Sequence, residues 1–332
     1  MLLRVFTTEI TDPFLNLATE EWLFRELEND AITLFLWRNA PCVVIGRGQN
    51  PWAECNIKQL TQDQIPLVRR TSGGGTVYHD LGNTNFSFMS MKPYFDKKTH
   101  IDLVLTALKQ LSIQAFSSSR NDILIPHADN TPRKISGSAY KESKDRGLHH
   151  GTLLIHADLN RLNTYLNPIK KDLFAKGVPS VRSSVMNLNE LDTTLSHDGF
   201  CDALIQSCMN HAGIKSTLTH LKKEDILKNA LLLEHAERFQ EWSWQYGKTL
   251  PFKHCFTQQF DWGKVSIQLT AEKGIISDSQ IQATNYQEVF ECLQKRLLGT
   301  RYEIFDIQKK LVESLPESFP REFMNWFLEK VC

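Results

Sequence analysis

The chain has 332 residues, enough for one large domain and a smaller one, and 41% of them are hydrophobic, which supports a sizeable core. Lys+Arg and Asp+Glu balance at 38 each, so no global field draws the protein to nucleic acid or to a membrane surface, which leaves room for a local acidic partner. The seven cysteines are odd in number and lack CxxC pairs, the N-terminus has no basic region leading into a long apolar stretch, and no segment approaches transmembrane length, so a cytoplasmic protein with buried or incidental thiols is expected.

Leu2 to Thr7 reads as a strand. Asp12-Pro13 starts a helix, with Asp as N-cap and Pro at the first helical position, and Leu17, Phe24 and Leu27 keep one face apolar. Glu20 and Glu21 then read as part of a solvated face. Ile32 to Trp37 and Cys42 to Ile45 read as a hairpin joined by Arg38-Asn39-Ala40-Pro41. Gly46 to Pro51 resembles half a dinucleotide motif, but Pro replaces the third Gly, and a structural turn is the better reading.

The apolar run Ile65 to Val68 leads into Arg69-Arg70-Thr71-Ser72-Gly73-Gly74-Gly75-Thr76-Val77-Tyr78-His79-Asp80, and a β-prone run, Thr84 to Met91, follows. Three glycines let backbone amides face an anion, because no Cβ blocks close approach. The two arginines before them can clamp carboxylate or phosphate oxygens. A bare triple glycine is compatible with a plain hairpin turn, but these flanks favour an anion cradle. It is neither a Walker A loop, since no Gly-Lys-Ser/Thr follows, nor a dinucleotide fingerprint, since a strand rather than a helix follows.

Thr99 to Asp102 fits a capping box opening a helix through Leu103, Ala107, Leu108 and Leu111. Asn121-Asp122 precedes the apolar Ile123 to Ile125. Arg133 to Tyr140 reads as a strand bent at Gly137, Lys141 to Arg146 as an exposed turn, and His149 to Thr152 as the entry to a strand at Leu153 to Ile155. The adjacent histidines would point to opposite faces, so they do not share a metal ion, and no metal site is assigned. Asn167 to Ser184 carries Gly177 and Pro179 and reads as a long functional or mobile loop. Ser196 to His211 and Glu224 to Trp244 read as helices. Lys248 to Pro251 is the linker candidate. Beyond it a small antiparallel sheet and three helices, near Tyr286 to Leu298, Ile304 to Leu315 and Arg321 to Val331, make a second domain. The division is 1–247, a linker at 248–252, and 253–332, with 1–247 expected to fold alone.

Arg70, the Ser72 to Thr76 amides, Lys134, Lys176 and Arg182 could meet negative charge; Asn83, Asn121 and Asp122 could meet a nucleotide. At these residues the chain resembles the lipoate–protein ligase A family. The resemblance is carried by Arg69 to Phe88, Arg120 to Ile123, Arg133 to Thr152 and Leu166 to Val185, with smaller matches at Leu34 to Asn39 and Val43 to Pro51. Pro126, His127 and Pro132 depart from the family's pattern in the loop before Lys134.

The resemblance implies an α+β fold: a biotin/lipoate protein ligase catalytic domain, like the class II aminoacyl-tRNA synthetase core, with a small C-terminal α+β domain. It implies that lipoate or octanoate and Mg-ATP give an acyl-adenylate and pyrophosphate. The acyl group then passes to one lysine on a lipoyl domain of a 2-oxoacid dehydrogenase E2 subunit or on the glycine-cleavage H protein. It also implies a monomer. By the same resemblance Arg70, Ser72 and Gly73 to Gly75 hold the acid, and Gly75, Thr76, Val77 and Tyr78 the nucleotide. Trp37 and His79 wall the dithiolane tail, although a structural role fits them as well. Asp122 meets magnesium or adenylate, unless it is only a strand-entry residue. Lys134 lies between the acyl carbonyl and the α-phosphate as the catalytic residue. The segment with Lys176, Gly177 and Arg182 closes over the adenylate. An acyltransferase that skips the ATP step is the alternative, but no cysteine falls within Arg133 to Thr152 to serve as its nucleophile.

Overall fold

The computed structural model describes residues 2–168, 172–177, 179–181, 183–212 and 215–331. The chain begins with β1 (Leu2–Thr8), α1 (Pro13–Arg25), β2 (Ala31–Trp37) and β3 (Cys42–Ile45), then the short helices α2 (Pro51–Glu54) and α3 (Ile57–Gln62). Next come β4 (Leu67–Arg69), β5 (Val77–His79), β6 (Asn83–Met91) and α4 (Lys97–Gln110). Then follow β7 (Phe116–Ser117), β8 (Ile123–Ile125), β9 (Arg133–Ser136), β10 (Ser138–Glu142), β11 (Arg146–Leu154), α5 (Leu159–Tyr165) and β12 (Leu173–Ala175). After α6 (His197–Ala212) and β13 (Lys215–Leu221) lie α7 (Lys223–Leu227), α8 (Ala230–Gln240) and α9 (Trp242–Gln245). The last elements are β14 (Phe252–Phe260), β15 (Gly263–Glu272), β16 (Ile275–Ala283), α10 (Gln287–Leu297), α11 (Ile304–Ser314) and α12 (Arg321–Val331).

One compact unit comprises Met1–Arg47, Ile65–Thr164 and Ser180–Glu241. Its six-stranded sheet runs β10-β11-β6-β2-β1-β13. β2 and β13 lie parallel to β1, and the other pairs are antiparallel. Period-two alternation gives this sheet two different faces. Leu34, Leu36, Phe86, Phe88 and Leu153 join Val104, Leu108, Phe200 and Leu204 of α4 and α6 in the apolar core. Asn85, Ser87 and His150 are buried on the alternate positions.

The expected hairpin of β2 and β3 does not form. β2 belongs to the large sheet, whereas β3 pairs with β4 and β5 in a three-stranded one, because the apolar alternation of each run is satisfied by a different partner. The cap of α4 is Asp96, whose carboxylate accepts from the Lys98 and Thr99 amides, so the helix starts before the Thr99 box. The Glu224 to Trp244 segment is three short helices, broken where Asn229 caps α8. At Gly137 the chain does more than bend: β9 ends in the sheet β7-β8-β9, and β10 begins in the large one.

The other unit draws on three stretches of chain, Gly48–Gln64, Tyr165–Pro179 and Trp242–Cys332, where sequence suggested one C-terminal block. Its antiparallel sheet runs β12-β14-β15-β16. Inward residues of that sheet, among them Phe256, Val265, Ile267 and Leu269, pack with Phe290, Leu293, Ile307, Leu311, Phe323 and Phe327 of the three terminal helices. Trp52 of α2 belongs to the same core, with ring centroids 5.2 Å from Phe252 and 5.1 Å from Tyr302.

Candidate functional site

Between β4 and β5 the glycine loop is held from behind by two buried arginines. Arg69 Nη1 donates to the carbonyls of Gly46 and Arg47, both at 3.1 Å. Arg70 Nη2 donates to Gly73 O at 2.6 Å and Gly75 O at 2.7 Å, its Nη1 to Val44 O, and its Nε to Ser72 Oγ. Burial lowers the Arg70 pKa to about 10, with the nearby Glu20 opposing the shift. The family resemblance implies that Arg70 holds the acid. Here its Nε and Nη2 engage Ser72, Gly73 and Gly75 of the loop and its Nη1 the Val44 carbonyl of β3, so the guanidinium shapes the loop from behind.

Two glycines are needed for this turn. Gly74 has φ +85°, and a Cβ there would lie 3.0 Å from the Ala139 methyl and from Arg70 Nη2. A Cβ on Gly46 would sit 2.3 Å from Gly74 O, so the Gly46 turn is a support for the loop, as the sequence suggested. Past the glycines, the Thr76 amide donates to Ser180 Oγ at 2.9 Å.

A buried polar chain runs behind the loop. Ser72 Oγ is 2.7 Å from His150 Nε2, and His150 Nδ1 is 2.9 Å from Glu20 Oε1. Ser87 Oγ donates to the same Glu20 oxygen at 2.5 Å and accepts from Trp37 Nε1 at 3.2 Å. Glu20 and Glu21 are therefore not on a solvated face: both are buried, since nearly every side of α1 is covered. Burial alone would raise the Glu21 pKa. Lys141, 2.6 Å away, with Arg25 and Thr71 outweighs it and holds that carboxyl below its ordinary range. Lys141, expected in an exposed turn, is thus a buried-pair partner.

Lys134 sits on β9 with its amide bonded to Ser184 O at 2.8 Å and its carbonyl accepting from Met186 N. Its Nζ lies 2.8 Å from Asp122 Oδ1. Asp122 follows Asn121, whose φ of +63° turns the chain into β8, and the Asp122 amide donates to Ser118 Oγ. Asp122 is thus more than a strand-entry residue. Gly137 supplies the space: a Cβ there would come within 3.2 Å of Lys134 Nζ. Two residues on, Ala139 touches Gly74, so the lysine and the glycine loop share one neighbourhood.

Ser72 is linked to Trp37 through His150, Glu20 and Ser87, Arg70 holds Gly73 and Gly75, Gly74 lies beside Ala139, and Lys134 pairs with Asp122. Val77, Tyr78 and His79 form β5, beside β3. Lys176 and Gly177 fall in the unit built around the second sheet, and Arg182 lies outside the described residues. Gly177 has φ +155°, and a Cβ there would lie 3.0 Å from Gly48 O. Glu20, Ser87, His150, Asn16 and Asn39 went unassigned in the sequence. One signal was readable: β6 alternates Asn83, Asn85 and Ser87 with Phe86 and Phe88, a polar stripe that marks a wet or ligand-facing side. Among the described residues no group of three or more His, Cys, Asp or Glu could hold a metal ion.

An α+β unit with a glycine-loop cradle and a fixed ammonium beside it defines an enzyme of the acid-binding ligase type. The chain belongs to the lipoyl protein ligase A/B family: the model of that catalytic domain matches residues 12–209, and the model of the bacterial lipoate protein ligase C-terminus matches 249–327. LipL1 of P. falciparum, solved with lipoate, is 28% identical with a TM-score of 0.66, covering 99% of this chain and 100% of that one. A lipoate-protein ligase A bound with ATP is 27% identical with a TM-score of 0.59, over 74% of this chain and 97% of that one. The bipartite lipoate protein ligase of Thermoplasma acidophilum, solved with its E2 lipoyl domain, is 26% identical with a TM-score of 0.62, over 74% and 96%.

Proposed function

We propose that the chain is an ATP-dependent lipoate–protein ligase. It converts lipoate or octanoate and ATP to acyl-AMP and pyrophosphate. It then passes the acyl group to a lysine of an apo lipoyl domain, on a 2-oxoacid dehydrogenase E2 subunit or the glycine-cleavage H protein. The observation that carries this reading is Lys134, fixed by backbone bonds on both sides and by Asp122, next to the loop that Arg70 shapes. In the first step a carboxylate oxygen attacks the α-phosphorus and pyrophosphate leaves. In the second the acceptor amine attacks the acyl carbon and AMP leaves. Charge grows on oxygens of the same two groups each time, and a fixed ammonium between them stabilises both transition states. The loop amides, rather than the Arg70 guanidinium, would face the acid. Magnesium would enter with ATP, neutralising phosphate charge, with Asp122 the carboxylate at hand, consistent with the few protein ligands such ions need.

Support against a cysteine-dependent transferase comes from the thiols. Among the described residues Cys42, Cys55, Cys201 and Cys208 are buried, burial pushing the pKa of Cys42, Cys201 and Cys208 up, to about 12 for Cys208, while the half-buried Cys255 and Cys292 belong to the second unit. Buried thiols of that kind are poor nucleophiles. The test mixes the protein with ATP, lipoate and an apo lipoyl domain, reading pyrophosphate and the domain's mass. Mass gain that persists without ATP, from an acyl-carrier donor, would defeat the ligase reading.

A further inference from the structure

The six-stranded sheet ends on one side in β13, and that edge is bare. Six of its seven residues, Lys215 to His220, are exposed, so among the described residues nothing covers it. Sheets blunt an open edge with brevity, a bulge, proline, charge or a cover, because an unpaired row of N–H and C=O groups recruits another strand. The opposite edge, β10, carries Lys141 and Glu142, ion-paired to Glu21 and Lys97. In the second unit β12 has three residues, while β16 pairs with a register shift and carries Asp278. β13 has no proline, no register break against β1, and one charge, Lys215 at its first position.

The centre of β13 is an unfinished row of the core. Residues opposite one another across a sheet share a face, and Phe88, Leu34, Val5 and Leu218 stand in one such row. Phe88 and Leu34 are 0% exposed and Val5 1%, whereas Leu218 is 68% exposed. We propose that β13 pairs antiparallel with β13 of a second copy of this chain, about a two-fold axis at Leu218. The occupant follows from the strand itself, Ser216-Thr217-Leu218-Thr219-His220, which reads nearly alike in both directions. The pairing sets Leu218 against Leu218, which extends the apolar row, Thr217 against Thr219, and Ser216 against His220. Lys215 falls opposite Leu221, so no like charges meet. A slip of two residues, the smallest that keeps each side chain on its face, would set Leu218 against Ser216 or His220 instead. Such a contact uses the same patch on both copies, so it closes at a dimer. This departs from the monomer that the resemblance implies. β10 lies five strand spacings away, roughly 24 Å at about 4.8 Å each, so the neighbourhood of Lys134 and the glycine loop stays clear of the interface. The dimer stands apart from the proposed function, and its test needs no substrate.

Sedimentation velocity of the full chain, from about 1 to 200 µM, should show monomer giving way to dimer with half-association below roughly 100 µM. Leu218→Lys alters a side chain that is exposed in the monomer, so the fold should hold, and it places like charges directly opposite in the dimer. That variant should remain monomeric over the same range. Cross-linking then reads the register. Opposed residues at the two-fold lie about 4.5–5.5 Å apart between Cα atoms, within disulfide reach. The two Lys215 positions lie roughly 20 Å apart, six residues at about 3.4 Å each. Under mild oxidation Leu218→Cys should give covalent dimer at least about tenfold faster than Lys215→Cys or the parent, because only its thiols meet at bonding distance. A parent monomeric throughout the range overturns the proposal. So does a dimer that Leu218→Lys leaves intact, or Lys215→Cys cross-linking as fast as Leu218→Cys.

Discussion

Lys134 is constrained at both ends, by the Ser184 and Met186 backbone and by Asp122 at the ammonium. Removing one preorganised donor of this kind costs about a hundred- to a thousandfold in rate. Lys134→Ala should therefore fold and lose adenylation by that factor; pyrophosphate release near the parent rate would remove the residue from its role. Gly137→Ala is a finer probe. The new methyl would press on Lys134 Cε and Nζ at 3.2 Å, which the flexible end relieves by shifting a few tenths of an ångström. The expected result is an unchanged melting temperature with adenylation down about tenfold, the scale of a misplaced group; equal rates would mean the ammonium has slack. Lys134 was legible as a candidate because its motif stands intact in sequence. Its partner Asp122 was legible only as a candidate, since an ion pair across β8 and β9 depends on a pairing that no local pattern encodes.

The strands and helices of the large sheet bury histidines on its apolar face. His100 of α4 stacks on Phe88 of β6, ring centroids 4.6 Å apart, and His149 of β11 stacks on His100 at 5.6 Å. Burial lowers the His100 pKa to about 4, with Asp96 opposing, and burial, with the His100, His150 and Lys97 charges, takes His149 well below its ordinary value. The unfolded chain binds these protons near pH 6.5, so unfolding takes up protons between about 4 and 6.5. Stability contributed by the neutral rings is complete above about pH 6.5 and declines as pH falls through that window. Melting temperature should be flat with respect to these groups near neutrality and drop toward pH 4.5. His100→Phe should flatten the drop by about one proton's worth, roughly 1.4 kcal/mol per pH unit; an identical acid profile would place the sensitivity elsewhere. The opposite faces of His149 and His150 were readable from strand alternation. Their different fates were not: His150 meets Glu20, brought over by α1, and a helix that is buried nearly all round shows little amphipathic signal.

At the scale of the whole molecule, the strands and helices after Pro251 were legible because they alternate or repeat at helical spacing over long runs. The membership of Gly48–Gln64 was not, because nothing local says that Trp52 will lie against Phe252 and Tyr302. Trp52→Ala should cost about 3–5 kcal/mol and lower the melting temperature; a surface-like change below 1 kcal/mol would show that its ring is dispensable. A chain stopped at Gly247 keeps Trp52 and loses both those rings. It should come out of cells largely insoluble or bind a hydrophobic dye, against the expectation that 1–247 folds alone; a soluble, cooperatively melting truncation would restore that expectation. The order of synthesis adds a last consequence. Trp52 leaves the ribosome 200 residues before Phe252, and at roughly 5–20 residues per second that is a wait of about 10–40 s. For that interval the indole lacks the Phe252 and Tyr302 rings it packs against in the finished chain, so ribosome-bound chains stalled before residue 252 should bind a hydrophobic dye more than released protein does.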